Sequence, residues 1–444
     1  ATTLGCKVNQ AETDSMLDML KAAGANIVEF DEKADIYIVN TCSVTNIADK
    51  KSRQMLHRAR KMNPDGIVIA AGCYVQSARE ILEQDEAIDI VISNNKKKSI
   101  TEIVNDYINV RNNGKNAPGK DHEAMEYFVD ISRETEYEEM GGHVPVGHTR
   151  AYVKIQDGCN QFCSYCIIPY VRGRIRSRSQ EAILAEVSEL AEAGIKEVVL
   201  TGIHISSYGK DKNNEGALIE LIEAISKIKG IKRIRLGSLE PGIITEEFVE
   251  RISSNSKVCP HFHLSLQSGC DSVLKRMNRK YTCKQYFEKC DMLRKAYKSP
   301  ALTTDVIVGF PGETEEEFAE TVRYLTELNL YEMHIFKYSP RKGTVAAAMK
   351  EQVAPEIKNE RSDVLLKLAH DNKTAYEAQF EGCELEVLVE EVVKKDNKTY
   401  LRGHTERYMD ILIDVGDISM PESFVNSFVY VTYTQNGGNL PLLL

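Results

Sequence analysis

Three cysteines fall within one short run, Cys159-Asn-Gln-Phe-Cys163-Ser-Tyr-Cys166. Three thiolates on one tight loop can hold three corners of a [4Fe–4S] cubane, whose usual complement is four cysteines. The fourth iron then lacks a protein ligand and is open to a substrate or cofactor. A zinc loop is the competing use of such a run, but structural zinc takes four ligands. No CxxC or HxxxH partner lies nearby.

A second trio is dispersed. Cys6, Cys42 and Cys73 each stand directly after a strand-like segment, in Thr-Leu-Gly-Cys6, Val-Asn-Thr-Cys42 and Ala-Ala-Gly-Cys73. If those strands are parallel neighbours, their carboxyl ends share one edge and one crevice, and the sulfurs converge. Gly5 and Gly72 would let the backbone approach a bulky inorganic ligand. Three buried apolar cysteines are the alternative. Cys259, Cys270, Cys283, Cys290 and Cys383 lack any such arrangement and read as core or surface positions.

Periodicity supplies the elements that must position these residues. Residues 1–110 alternate apolar strands (2–5, 36–40, 67–71) with helical patterns at 10–23 and 47–62. The first helix shows an apolar stripe at Ala11, Leu17, Leu20 and Ala23 before Gly24; the second stops at Asn63-Pro64. A βαβαβ order implies a doubly wound parallel sheet. Residues 111–140 turn first (Asn112-Asn113-Gly114, Ala117-Pro118-Gly119), then become acidic, and read as a linker with one edge strand. From Tyr152 strands are expected at 152–155, 197–201, 233–236, 262–266, 304–308 and 333–337, with helices at 182–193, 217–228 and 315–328. Six βα units suggest an α/β barrel or part of one, with chemistry at the carboxyl ends of its strands. A helix over 354–378 leads into a tail where 383–390, 411–415 and 428–433 alternate apolar and polar residues, as in a small all-β barrel or sandwich. The expected division is 1–115, a linker 116–147, 148–375 and 376–444.

A chain of 444 residues exceeds one core. No apolar run is long enough to cross a bilayer and no signal-peptide pattern opens the chain. The strand-like Thr2-Thr3-Leu4 start, without Met, suggests trimmed residues. The expectation is a cytoplasmic monomer with no membrane partner. Eleven cysteines in such a chain point to metal or redox chemistry rather than disulfides. A net charge of −10 excludes a generally basic nucleic-acid surface, so any such surface is local.

The spacing of the first trio, with Tyr165 just before its last cysteine, resembles the radical S-adenosylmethionine (SAM) superfamily. Together the motifs resemble the methylthiotransferase family over essentially the whole chain. They are Thr3-Leu-Gly-Cys6-Lys-Val-Asn-Gln10, Asn40-Thr-Cys42-Ser-Val-Thr45, Gly158-Cys159-Asn-Gln-Phe-Cys163-Ser-Tyr-Cys166-Ile-Ile-Pro169 and Val171-Arg172-Gly-Arg174. The resemblance implies an N-terminal cluster domain, a radical-SAM (βα)6-type partial barrel and a C-terminal TRAM domain. Gly5-Cys6-Lys-Val-Asn-Gln10 and Ala48-Asp-Lys-Lys-Ser-Arg53 look most like the MtaB-type branch, which adds a methylthio group to C2 of N6-threonylcarbamoyladenosine at position 37 of tRNA. The ribosomal-protein branch typically has Pro where this chain has Lys7, and the isopentenyladenosine branch usually differs after its first cysteine.

That resemblance implies two [4Fe–4S] clusters. The one on Cys159, Cys163 and Cys166 would cleave SAM reductively to a 5′-deoxyadenosyl radical. The one on Cys6, Cys42 and Cys73 would hold sulfur at its open iron, where a first SAM methylates it. The adenine C2–H bond is neither acidic nor electrophilic enough for an ordinary side chain, so such chemistry falls to a cofactor. Family likeness assigns SAM contacts to Tyr165, Thr201, Gly202, Ser238, Glu240, Gln267, Arg279, Val308 and Gly309. It also implies an anticodon stem-loop substrate and an electron donor such as flavodoxin or ferredoxin.

Lys50, Lys51, Arg53, Arg58, Arg60 and Lys61 crowd one helix, either as a solvated face or as phosphate contacts. Arg172, Arg174, Arg176 and Arg178 alternate on what reads as an extended segment, which would place all four on one side; Arg172 and Arg174 are the expected RNA or SAM contacts. The tail from Glu381 has eleven acids against five Lys/Arg, unfavourable for general phosphate binding. Rival readings are a methylthiotransferase for isopentenyladenosine tRNA or a ribosomal-protein aspartate, and a non-catalytic iron–sulfur RNA-binding protein.

Overall fold

The computed structural model describes residues 1–112, 127–141, 149–396, 398–416, 420–435 and 437–439. Strands Thr2–Thr3, Ile36–Thr41, Ile67–Gly72 and Ile90–Ile92 pair in parallel in that order. All six residues of Ile67–Gly72 are buried, as expected of a strand covered on both faces. Met16 and Leu20 of the helix Lys7–Ala22 join Ile103 and Tyr107 of Ile100–Asn112 against Ile38, Ile69 and Ile92. On the opposite face, Leu56 and Ala59 of Asn46–Met62 pack on Val39, Val68 and Val91. The first strand is shorter than the expected 2–5 because Gly5, at φ +105°, turns the chain into the helix. Ile90–Ile92 is a fourth strand that periodicity missed.

The turn tripeptides at 113–119 lie outside the described residues. Residues 127–141 contain no strand, so the expected edge strand is absent from that described part. Instead the segment is tied down by side chains, with the Tyr137 hydroxyl donating to the Lys154 carbonyl at 3.1 Å.

Six parallel strands then curve into part of a barrel: Arg150–Asp157, Glu197–Gly202, Arg233–Leu236, His261–His263, Ala301–Val308 and Glu332–Lys337. Isolated bridges Ile234↔Val258 and Leu239↔Leu264 join the two halves. The strand expected at 262–266 ends at His263, and Gln267 beyond it adopts φ +77°. Alternation sorts the faces. Val153, Val198, Leu200, Ile234, Phe262, Leu264, Leu302 and Val306 pack under the surrounding helices, each such side chain contributing about 1.5–3 kcal/mol of burial. The intervening residues, among them Tyr152, Lys154, Arg235, His263 and Asp305, face inward.

The arginine run overturns its expected geometry. Ile168–Arg172 is a short helix, Gly173 reverses the chain at φ +71°, and only Arg176–Ser177 is extended. Arg172, Arg176 and Arg178 are buried while Arg174 is exposed, so the four do not share a side. The helix Pro355–Ala378 leads to a closed barrel of Glu384–Lys395, Lys398–Thr405, Asp410–Asp414, Gly437–Asn439 and Phe428–Thr434, in that order. It docks on the amino-terminal ends of the central strands, where Arg233 donates to the His404 carbonyl at 3.0 Å and Arg235 to the Thr405 carbonyl at 3.2 Å.

Candidate functional site

The parallel sheet brings Cys6, Cys42 and Cys73 to its carboxyl edge, as parallel pairing requires. A Cβ built on Gly5 would stand 2.9 Å from the Cys42 Sγ, so only glycine fits this turn. Cys6 and Cys42 each feel the charge of Cys73 and of Arg172, which places the three sulfurs in one neighbourhood. Arg172 Nε donates to the Cys73 Sγ at 3.2 Å. Burial pushes the Cys6 thiol up, and it pushes Cys42 up to about 11. Binding a metal must therefore displace protons.

The second trio lies beyond the first barrel strand. The Gln161 N–H donates to Cys159 Sγ at 3.4 Å, and Arg279 to Cys163 Sγ at 3.3 Å. Burial pushes Cys159 up to about 11 and Cys166 to about 12. Gly158 makes the bend possible, since at φ +71° its Cβ would collide with the Arg174 carbonyl oxygen at 1.8 Å. Thiolates around one zinc, each about 2.3 Å from it, sit roughly 4 Å apart. Neither trio closes to 4.8 Å; among the described residues only His263, Asp305 and His334 do. The wider spacing of both trios, with charged donors on their sulfurs, suits a polynuclear iron–sulfur group rather than a single ion.

One buried ionic network joins the two trios. Arg172 donates to Glu12, to Asn9 Oδ1 and, at 3.1 Å, to Asp157 Oδ2. Lys154 reaches Glu12 at 2.7 Å and Asp157 at 2.6 Å, and Lys97 also pairs with Glu12. Burial opposes the charge on Glu12, but Arg172, Lys154 and Lys97 outweigh it and hold its carboxyl well below the usual range. Lys154 and Lys97 also feel the buried carboxyl of Glu138, while Arg172 turns its Nε to Cys73. The helix carrying Arg172 begins two residues after Cys166, so one short element ties both thiol loops together.

The expected cofactor contacts gather around the barrel mouth. Thr201 and Gly202 end one strand and Val308 ends another, with Gly309 at φ +70° beyond it. Ser238 is exposed, and Glu240 and Arg279 lie within electrostatic reach of Cys159. Gln267 is held by its own backbone between Asp305 and Ile307, both at 2.9 Å. Tyr165 is half-buried against Met277, Phe310 and Tyr338. Arg279 also donates to the Tyr281 hydroxyl at 2.8 Å.

The basic helix starts at the same mouth. The Asn46 N–H donates to Ser339 Oγ at 3.2 Å, and Arg341 pairs with Asp49 at 2.7 Å. Lys50, Lys51 and Arg53 are exposed, although Arg53 leans on Tyr74. Arg58 and Arg60 are taken by Asp31 and Asp89. Arg174 covers the Phe162 ring at 4.6 Å. Arg172 is the correction: it is 0 % exposed and its donors are spent inside the protein, so it cannot meet a phosphate.

Residues 1–93 match the model for Uncharacterized protein family UPF0004, and 153–325 match that for the Radical SAM superfamily. The threonylcarbamoyladenosine tRNA methylthiotransferase MtaB of Bacillus subtilis is 39% identical over 92% of this chain and 89% of its own length. The chain belongs to the radical-SAM methylthiotransferase family. A tRNA-2-methylthio-N(6)-dimethylallyladenosine synthase of Thermoanaerobacter pseudethanolicus is 35% identical over 98% of this chain and 90% of that protein. The solved radical SAM methyltransferase TsrM of Kitasatospora setae, with cobalamin and a [4Fe-4S] cluster bound, shares the fold at TM-score 0.54 and 15% identity, over 74% of this chain and 73% of that one.

In this methylthiotransferase several site residues escaped sequence reasoning. Glu12, Lys97, Lys154 and Asp157 sit in amphipathic or strand positions where a charge ordinarily faces water. Asn9 lies inside a quoted motif, and it donates to the Leu4 carbonyl at 2.8 Å and the Thr41 carbonyl at 3.0 Å, locking the first two cysteine turns together. His204, two residues past its strand, has a buried Nε2 with no partner among the described residues. Burial, then Arg279 and Lys210, pushes its pKa down to about 4.

Proposed function

We propose that this enzyme adds a methylthio group to C2 of N6-threonylcarbamoyladenosine at position 37 of tRNA. The observation that carries the reading is the pair of cysteine trios held on one buried ionic network, in a chain that is 37–39% identical to three threonylcarbamoyladenosine tRNA methylthiotransferases. Cys159, Cys163 and Cys166 would hold one [4Fe–4S] group and Cys6, Cys42 and Cys73 another. Bound there, these groups supply one-electron cleavage of SAM and a site for sulfur, chemistry that side chains lack.

The protein's own residues bind, orient and protect. Arg279 and Arg172 place charged donors on the Cys163 and Cys73 sulfurs and so orient two of the six thiols. Thr201, Gly202, Ser238, Glu240, Gln267, Val308 and Gly309 line the mouth where SAM would sit. Half-buried Tyr165, packed with buried Phe310, shields the loop from water on that side. Lys50, Lys51, Arg53 and Arg174 would meet phosphates of the anticodon stem-loop. The division into an N-terminal cluster domain (1–115), linker (116–147), radical-SAM domain (148–375) and TRAM-like tail (376–444) accompanies this reading, as do a flavodoxin- or ferredoxin-type reductant and a monomeric cytoplasmic enzyme.

The test is anaerobic incubation of the reconstituted enzyme with SAM, reductant and stem-loops bearing either threonylcarbamoyl- or isopentenyladenosine, followed by nucleoside mass spectrometry. Methylthiolation of the first alone supports the reading; methylthiolation of the second alone assigns the dimethylallyl branch instead.

A further inference from the structure

Around Lys7, at the base of the partial barrel, each neighbouring arginine is paired with a carboxylate. Arg150 meets Glu390 at 3.0 Å, Arg235 meets Glu197 at 2.7 Å and Arg233 meets Glu386 at 2.9 Å. Lys7 reaches the same inward face from the first residue of the helix Lys7–Ala22. Its Nζ stands 5.8 Å from the Tyr152 ring and 5.8 Å from the Tyr408 ring. No carboxylate or hydrogen-bond acceptor among the described residues takes it.

Tyr408 already carries other cations, with the Arg150 and Arg235 guanidinium carbons 5.0 and 4.8 Å from its centroid. Aromatic faces attract an ammonium, whereas two nearby guanidinium groups repel it. An exposed lysine escapes such repulsion by swinging into solvent. Lys7 instead remains solvent-accessible yet points into the space between the helix, the barrel strands and the tail. An accessible ammonium that has no paired carboxylate, and that feels Glu197 only against the stronger repulsion of Arg235 and Arg150, calls for an anion from outside the chain.

We propose that Lys7 binds a carboxylate carried by the substrate base; on the substrate reading above, which this inference deepens, that group is the threonyl carboxylate of the modified adenosine. Lys7 directly follows Cys6, so the ammonium and the first thiol are held by one turn. A neutral isopentenyl substituent offers the ammonium no counter-charge, which makes Lys7 a discriminating residue between the two kinds of base. SAM is the other source of a carboxylate, and the experiment separates the two.

The experiment compares wild type, Lys7→Met and Lys7→Arg, each reconstituted and counted for iron. Three stem-loops are used: threonylcarbamoyladenosine, its threoninamide analogue without the carboxylate charge, and isopentenyladenosine. A hydrogen bond to a charged group contributes about 1.5–3 kcal/mol, so kcat/KM for the carboxylate substrate should fall about 10- to 100-fold in Lys7→Met. Lys7→Arg should retain most of it, and wild type should lose a similar factor on the amide. The KM for SAM and RNA-independent formation of 5′-deoxyadenosine should not change. A rise in KM for SAM with unchanged RNA discrimination would assign the carboxylate to SAM and overturn the proposal. Equal use of carboxylate and amide by wild type also overturns it, and needs no variant to fold. Wild type acting only on the isopentenyl loop defeats the substrate reading, and this inference with it; wild type preferring the threonyl loop while Lys7→Met keeps that preference defeats this inference alone.

Discussion

Glu12→Gln should destabilise the chain more than Arg172→Met, although Arg172 makes more contacts. Lys97, Lys154 and Arg172 converge on Glu12 and Asp157. Arg176 adds a weaker approach to Asp157 at 3.9 Å, with its Nη1 given to the Arg172 and Arg174 carbonyls at 3.0 Å each. Removing Arg172 leaves Lys97, Lys154 and the more distant Arg176 facing Glu12, Asp157 and the nearby buried Glu138, so no buried charge is orphaned. Its cost is the lost hydrogen bonds to Asn9, Glu12, Asp157 and Cys73 together with a cavity. These terms are not additive and amount to about 3 kcal/mol. Glu12→Gln preserves shape but takes from Lys97 its paired carboxylate and leaves Lys154 and Arg172 sharing Asp157. Breaking a buried pair costs about 3–5 kcal/mol, and here two further cations each lose one of their two carboxylates, so the upper end of that range is expected. The assay is urea unfolding of the iron-free chain, followed by tryptic digestion to see whether residues 1–112 open first. If Arg172→Met is as damaging as Glu12→Gln, or if Glu12→Gln costs under about 1 kcal/mol, charge balance is not what holds this junction.

Three further outcomes are expected. Anaerobic reconstitution should load about eight irons per chain, and changing either Cys6/Cys42/Cys73 or Cys159/Cys163/Cys166 to Ala should leave about four; complete loss in one triple variant would mean that the clusters do not assemble independently. Gly158→Ala places a methyl 1.8 Å from the Arg174 carbonyl oxygen at φ +71°, so the barrel-side trio should lose its iron while the N-terminal trio keeps about four; normal loading refutes the tight approach. His204 is pushed down to about 4 from an ordinary value near 6.5, so its neutral form is favoured in the fold. Its contribution is present above about pH 6.5 and is lost as the pH falls towards 4, by up to about 3 kcal/mol. His204→Gln should flatten that part of the stability profile, and an unchanged profile would mean that His204 titrates normally.

Several particular residues mark how far the chain could be read before folding. The run Cys159–Cys166 lies within one loop, so its geometry is local and visible from spacing alone. The dispersed trio was legible because short strand-like runs ended at Cys6, Cys42 and Cys73, and parallel pairing obliges such ends to meet. The strand positions of the central barrel were likewise legible, because each buries one face under helices. By contrast, Arg172 read as an exposed extended residue, and nothing in its neighbours announced that Gly173 would turn it inward.

The sequence by itself determined the thiol sets, the strand–helix alternation and the family, because these rest on local spacing and on apolar periodicity. Only tertiary structure decided which charges are buried against which. Glu12, Lys97, Lys154, Asp157 and Arg172 come from distant segments, and whether a charged side chain is solvated or ion-paired depends on what the fold packs around it. The same holds for Lys7, whose unmatched charge is apparent only once each neighbouring arginine has found its carboxylate.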